Sequence, residues 1–265
     1  MPLPELIALL ITGLVAGVLG GLLGIGGSVI MIPVLTLFLD RTYHLAQATA
    51  MIVNIFVAVP AVIRHHRASA VRWDVTWRLL PFGIAAIVLG VLLSNRLESE
   101  QLELFFGFFL IYVIFMNVRR LLHGRRSSED HAQPAVWWRS GVVGSITGFA
   151  AGLLGIGGGI ITVPLLQRIA LLPLRQCIAT SSALMCLTAV VGASLKNATL
   201  PATSDGAHTT VDAMLLSSGL IPCAIIGSFV GAHLTHALPI FWVRIVFIVL
   251  LVIACLRFLG LLSFS

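Results

Sequence analysis

The chain is 265 residues long, 58% hydrophobic and only 10% charged, with a mean hydropathy of +1.06. So little polar side chain cannot cover a water-soluble globule of this size, which excludes a soluble enzyme or binding domain and requires a polytopic membrane protein. The excess of 16 Lys and Arg over 10 Asp and Glu does not mark a nucleic-acid binder, because the basic residues cluster in short stretches between apolar runs.

In chain order, apolar segments are expected at about Leu6 to Leu23, Ser28 to Leu39, Leu45 to Ile63, Leu79 to Asn95 and Leu104 to Val118. After the polar stretch Leu121 to Gln133 they resume at about Ser140 to Leu154, Gly159 to Gln167, Gln176 to Leu195, Ala213 to His233 and Phe241 to Leu256. The first segment has no positive leader and runs too long for a signal peptide, so it is expected to remain in the mature chain. The division this suggests is a first membrane repeat over 1–122, a polar cytoplasmic linker over 123–138 and a second membrane repeat over 139–265.

The two halves are copies. Gly24-Ile25-Gly26-Gly27 recurs as Gly155-Ile156-Gly157-Gly158, and Gly13 to Leu35 matches Gly144 to Leu166 at 12 of 23 positions. Ala48-Thr49-Ala50 answers Ala179-Thr180-Ser181 at the same offset, and Pro33 answers Pro164. The 34 uncharged residues from Leu6 to Leu39 would make a straight helix of roughly 50 Å, against a hydrocarbon core of about 30 Å. Two full crossings need more chain. A helix, a break at Gly24 to Gly27 and a shorter, re-entrant helix fits better. Broken backbone at membrane depth is costly unless it lines a polar cavity or a binding site. Upstream, Gly13, Gly17 and Gly21, like Gly144, Gly148 and Gly152, recur every four residues, the small-residue spacing of close helix contact. Such faces also permit a homodimer.

Loop charges give an orientation. Arg64, Arg67, Arg72 and Arg78 surround one loop and Arg119, Arg120, Arg125, Arg126 and Arg139 flank the linker, which places both in the cytoplasm. Arg96 to Glu103 and Asn197 to Asp212 are expected outside. Equivalent loops then fall on opposite sides, so the repeats are expected to be inverted, with Gly-broken helices meeting near the midplane of an all-α membrane protein. Both termini would face outward.

The paired G-x-G-G motifs with their following prolines, the two apolar halves and the basic central linker resemble the sulfite exporter TauE/SafE family over essentially the full chain. The resemblance implies an integral membrane permease, often bacterial and so of the inner membrane, exporting a small sulfur-containing anion such as sulfite or an organosulfonate. The physics of the breaks agrees. A helix starting just after each glycine cluster aims free N–H groups and its positive dipole end at the break, which suits an oxyanion. Gly24, Gly26, Gly27 and Ser28, with Gly155, Gly157, Gly158 and Gly159, are therefore expected to line a substrate site. Thr49, Thr180, Ser181 and Ser182 on the adjoining segments would assist, unless their hydroxyls bond backbone instead. Asn54, mid-segment, either faces the same cavity or makes an interhelical bond.

Other residues are assigned bland roles. Gln47 and Gln176 near helix starts read as interfacial, Lys196 and Arg175 as snorkelling cations with direct anion contact as the alternative, and His233 and His236 as interfacial unless transport is proton-coupled and they carry the protons. No carboxylate lies deep in an apolar run, which favours export of an anion down the membrane potential. Neither glycine motif carries the Lys-Ser or Lys-Thr ending of a P-loop, and no G-x-S-x-G or H-E-x-x-H occurs, so no nucleotide, cofactor, metal or enzymatic activity is expected. Cys177, Cys186, Cys223 and Cys255 lack redox or metal spacing. An importer of a reactive sulfur species using these thiols, and a non-transporting assembly subunit, are the alternatives.

Overall fold

The computed structural model describes residues 3–122, 137–203 and 206–235, with parts of a further helix at 248–249, 251–256 and 258. All regular structure among these residues is helical: α1 (Leu3–Leu23), α2 (Ser28–Leu37), α3 (Tyr43–Arg67), α4 (Trp73–Ser94), α5 (Ser99–Leu122), α6 (Trp137–Leu154), α7 (Gly159–Ile169), α8 (Leu174–Thr203) and α9 (Thr210–Leu234). Six of them, α1, α3, α4, α5, α8 and α9, are long and apolar enough to cross a membrane. Most of the linker expected over 123–138, His236 and much of the segment Phe241 to Leu256 lie outside the described residues.

Helices outrun the apolar segments because interfacial side chains sit comfortably on a helix whose ends reach the headgroups. Thus α4 begins at Trp73, not Leu79, and α8 runs on to Thr203, past the expected end at Leu195. The stretch Asn197 to Asp212, expected to be loop throughout, is therefore half helix. The start of α9 is fixed by a capping box, in which Asp212 accepts from the amide of Thr209 at 2.7 Å.

Both glycine clusters reverse the chain. Gly27 lies back against α1, where a Cβ would stand 2.9 Å from that of Ala16, and Gly158 lies back against Thr147 and Ala151 of α6. The short helix α2 then returns beside α1, so that Arg41 beyond its end pairs with Glu5 at 2.7 Å. In the second copy, Arg139 near the start of α6 donates to the carbonyl of Ile169, the last residue of α7. Each copy thus contains a helix followed by a short apolar helix that folds back along it.

The glycine stripes explain how the copies hold together. A Cβ at Gly13, Gly17 or Gly21 would lie 2.3 Å from the carbonyl oxygen of Leu220, Ala224 or Ser228, so α1 runs parallel to α9 with backbones in contact. Gly148 and Gly152 make the same approach to Gly83 and Ile87, which sets α6 parallel to α4. The stripes are consumed inside the chain, each joining one copy to the other. At the centre α3 and α8 run antiparallel, with His44 beside Lys196, Asn197 donating to the Ala48 carbonyl and Met51 near Gly192. Leucine at Gly17 would drive a side chain into the α9 backbone, which cannot yield. Loss of most folded protein, read as recovery in a monodisperse detergent peak, is the expected outcome.

Candidate functional site

The two breaks meet each other. A Cβ on Gly159 would stand 2.1 Å from the carbonyl oxygen of Gly24, so the first residue of α7 packs directly on the first break. Gly24 and Gly26 have φ of 66° and 75°, and Gly155, Gly157 and Gly158 of 74°, 67° and 76°. A side chain in this left-handed region costs roughly 1–2 kcal/mol per residue, which is why the reversal is written in glycine. The N-caps of α2 and α7 are Gly27 and Gly158. Neither has a side chain to compete for the first amides, whose acceptors an α-helix cannot supply itself.

Two side chains stand between the breaks. A Cβ at Gly26 would contact the sulfur of Met185 and Oδ1 of Asn54, and one at Gly157 would contact the same sulfur and Nδ2 of Asn54. Asn54 on α3 and Met185 on α8 are separated by the repeat offset that relates Gly24 to Gly155. They are counterparts. Asn54 accepts from the Gly27 amide at 3.2 Å and donates to the hydroxyl of Ser28. The counterpart of Ser28 is Gly159, so one side of the junction is polar and the other presents a thioether and bare backbone. Met185 was missed in the sequence because methionine reads as core. Its position one offset from Asn54 is the signal that finds it.

The expected hydroxyls separate into distinct roles. Ser181 donates to the carbonyl of Gly24 at 3.0 Å and so belongs to the junction. Ser182 back-bonds at 3.0 Å to the carbonyl of Ile178, a residue that itself packs on Gly24, and Thr180 accepts the amide of Arg72 at 3.2 Å. Thr49 is fully buried and its hydroxyl oxygen has no hydrogen-bond partner among the described residues. Asn54 and Ser28 are likewise buried.

Gln47 and Lys196 are not interfacial. Both are 0% exposed. Gln47 donates to the carbonyls of Gly152 at 2.9 Å and Leu153 at 3.0 Å, and Tyr43 donates to that of Leu154 at 2.9 Å. Together they satisfy the orphan carbonyls at the C-terminal end of α6, just before the second break. Ser94 donates to the amide oxygen of Gln47 at 2.9 Å and accepts from Lys196 at 3.1 Å. A hydrogen-bonded chain therefore joins the buried lysine to the second break. Leucine at Gln47 would leave two buried carbonyls unpaired at about 1–3 kcal/mol each. A fall in thermal stability in detergent of that order is expected, larger than for the exposed Gln101.

The four cysteines are free thiols; Cys177 is buried and donates to the carbonyl of Leu172 at 3.2 Å. His233 lies at an exposed end of α9 beside Arg64, as expected of an interfacial residue.

Comparison with known proteins supplies the family. Over 89% of its length the chain is 27% identical to the probable membrane transporter protein MamO of Paramagnetospirillum magneticum, although it spans only 41% of that protein. It is 31% identical to a probable membrane transporter protein of Methanocaldococcus jannaschii, over 69% of each chain, and 25% identical to one of Haemophilus influenzae, over 94% and 96% of the two chains. No solved structure is significantly similar. The model of the family described as sulfite exporter TauE/SafE matches residues 9–258, and with its duplicated glycine reversals packed at the centre of a helical membrane protein, the chain belongs to this family of membrane transporters, not of enzymes.

Proposed function

We propose that the protein is a permease that exports a small sulfur-containing oxyanion, sulfite or an organosulfonate, across the bacterial inner membrane, and that the junction of the two glycine breaks is its substrate gate. The observation that carries this reading is the packing of Gly159, the first residue of α7, on Gly24 and Ile25 of the break that leads into α2, so that two half-helices with positive dipole ends start at one junction. Packing this close leaves the junction shut. Parting of α3 from α8, with the α1–α9 and α4–α6 seams intact, would open a space lined by backbone N–H groups, Asn54, Ser28, Ser181 and the hydroxyl of Thr49.

The antiparallel run of α3 against α8 fits repeats inverted about an axis in the membrane plane, the architecture in which one half rocks against the other around a fixed site. Arg64, Arg67, Arg72 and Arg78 would mark the cytoplasmic face. With the cell interior negative, outward movement of a monovalent anion is favoured by about 2.3 kcal/mol per 100 mV.

The test is counterflow uptake of labelled sulfite, a C2 sulfonate, sulfate and a carboxylate by purified protein in liposomes, with the potential clamped at two values. Uptake of a sulfur oxyanion that responds to potential is expected. Equal uptake of all four anions, or of none by demonstrably folded protein, would reject the proposal.

A further inference from the structure

Lys196 is a full side chain of positive character at 0% exposure, and among the described residues no carboxylate pairs with it. Its Nζ has three hydrogen-bond partners: Nδ1 of His44 at 2.9 Å, the hydroxyl of Ser94 at 3.1 Å and Oδ1 of Asn95 at 2.9 Å. Ser94 spends its own proton on Gln47, and Oδ1 of Asn95 is an acceptor only. Three acceptors match the three N–H groups of an ammonium. If the proton instead sits on His44, whose Nε2 already reaches the carbonyl of Leu97 at 3.0 Å, the imidazole is the cation and donates to Nζ. Either way the pair holds one positive charge, and at 2.9 Å it does not hold two.

A buried charge without a counterion is expensive, and a protein retains one where something charged comes to meet it. His44 and Asn95 form the wall between Lys196 and an open cavity of about 370 Å³, which is also lined by Thr42, Arg96, Glu98, Ser99 and His208. The charged residues lining the cavity are Arg96 and Glu98, one of each sign, and the pair behind His44 and Asn95 adds a positive field to that wall. Low-dielectric surroundings leave that field weakly screened.

We propose that this cavity, at the face opposite the arginine-rich end, is an anion-recruiting vestibule. It holds a small oxyanion of the sulfonate or sulfate type against His44 and Asn95, with the charge shared by Lys196 and His44 as its counterion. The chain through Ser94 and Gln47 to the carbonyls of Gly152 and Leu153 connects the occupant to the second break. The identity of the ion rests on the permease reading; the charge of the vestibule does not.

The experiment needs no transport, so its failure is distinct from failure of that reading. A Ser99→Cys reporter in a chain whose four native cysteines are serine is modified, at low ionic strength, by two methanethiosulfonates of equal size. One carries an anionic sulfonatoethyl group and the other a cationic trimethylammonioethyl group. The ratio of anionic to cationic rates is expected to fall about tenfold in Lys196→Met, to fall similarly in Asn95→Asp, and to survive in Lys196→Arg. Asn95→Asp is nearly isosteric and places a carboxylate on the ammonium, so it decides the matter even if Lys196→Met does not fold. Ethanesulfonate in the bath is expected to slow modification of the reporter, and to lose that protection in Asn95→Asp. A ratio unchanged within twofold in both charge variants, or absence of ethanesulfonate protection in the parent reporter, would overturn the proposal.

Discussion

Leucine at Gly157, and separately at Gly26, is expected to cut anion counterflow in proteoliposomes to below about one hundredth of the parent rate, with the protein still monodisperse in detergent. The left-handed backbone at φ 67° and 75° adds roughly 1–2 kcal/mol of strain at either position. The first atom met by a new side chain is the sulfur of Met185, which would stand 2.7 Å from a Cβ at Gly157 and 2.9 Å from one at Gly26. That atom is the far end of a flexible chain, so the fold can adjust, and the leucine then fills the space into which the half-helix amides point. The glycine stripes offer no such tolerance. There the obstacle is backbone, and the same substitution removes the protein altogether. Transport surviving in both Gly26→Leu and Gly157→Leu would place the permeation route elsewhere.

The second large effect is expected at Asn54. Leucine here strips the Gly27 amide and the Ser28 hydroxyl of partners at a fully buried junction. At about 1–3 kcal/mol for each orphaned group, the loss is comparable to the whole stability margin of a typical domain at its lower end. Thermal unfolding monitored in detergent should show a drop at least as large as that of the leucine variant at Gln47, with Asn54→Asp much milder because the acceptor remains. Exchange of the counterparts, Asn54→Met together with Met185→Asn, is expected to recover only part of the loss. An asparagine at 185 can reach toward Gly158, but Gly159 offers no hydroxyl where Ser28 stands in the first copy.

The reversal at each glycine cluster was legible in the sequence for a physical reason: 34 uncharged residues cannot be one crossing and are too few for two. The duplication was legible because a fixed offset leaves identical residues in register. Which helix each glycine stripe would meet was not, since a stripe records that some backbone comes close without recording whose. Lys196 and Gln47 misled for a related reason. Each lies near the end of an apolar run, and the end of a run is not the end of a helix. α8 in fact continues about two turns beyond Lys196 to Thr203, which carries the ammonium inward to His44. Thr180 shows a different limit: its hydroxyl accepts the Arg72 amide, a partner that the correspondence with Thr49 does not reveal.

The cross-pairing of α1 with α9 and of α4 with α6 has a consequence for biogenesis. A ribosome adding about 5–20 residues per second delivers α9 roughly 190 residues after α1 is complete, a delay of about 10–40 s. Throughout it, the first glycine face lies open to lipid or to whatever insertion machinery shelters it. The α4–α6 seam can close once α6 has emerged, but the α1–α9 seam must wait for α9, so neither half settles alone and maturation ends late. Severing the chain between the halves should then yield two polypeptides that are degraded when made alone and stable when made together.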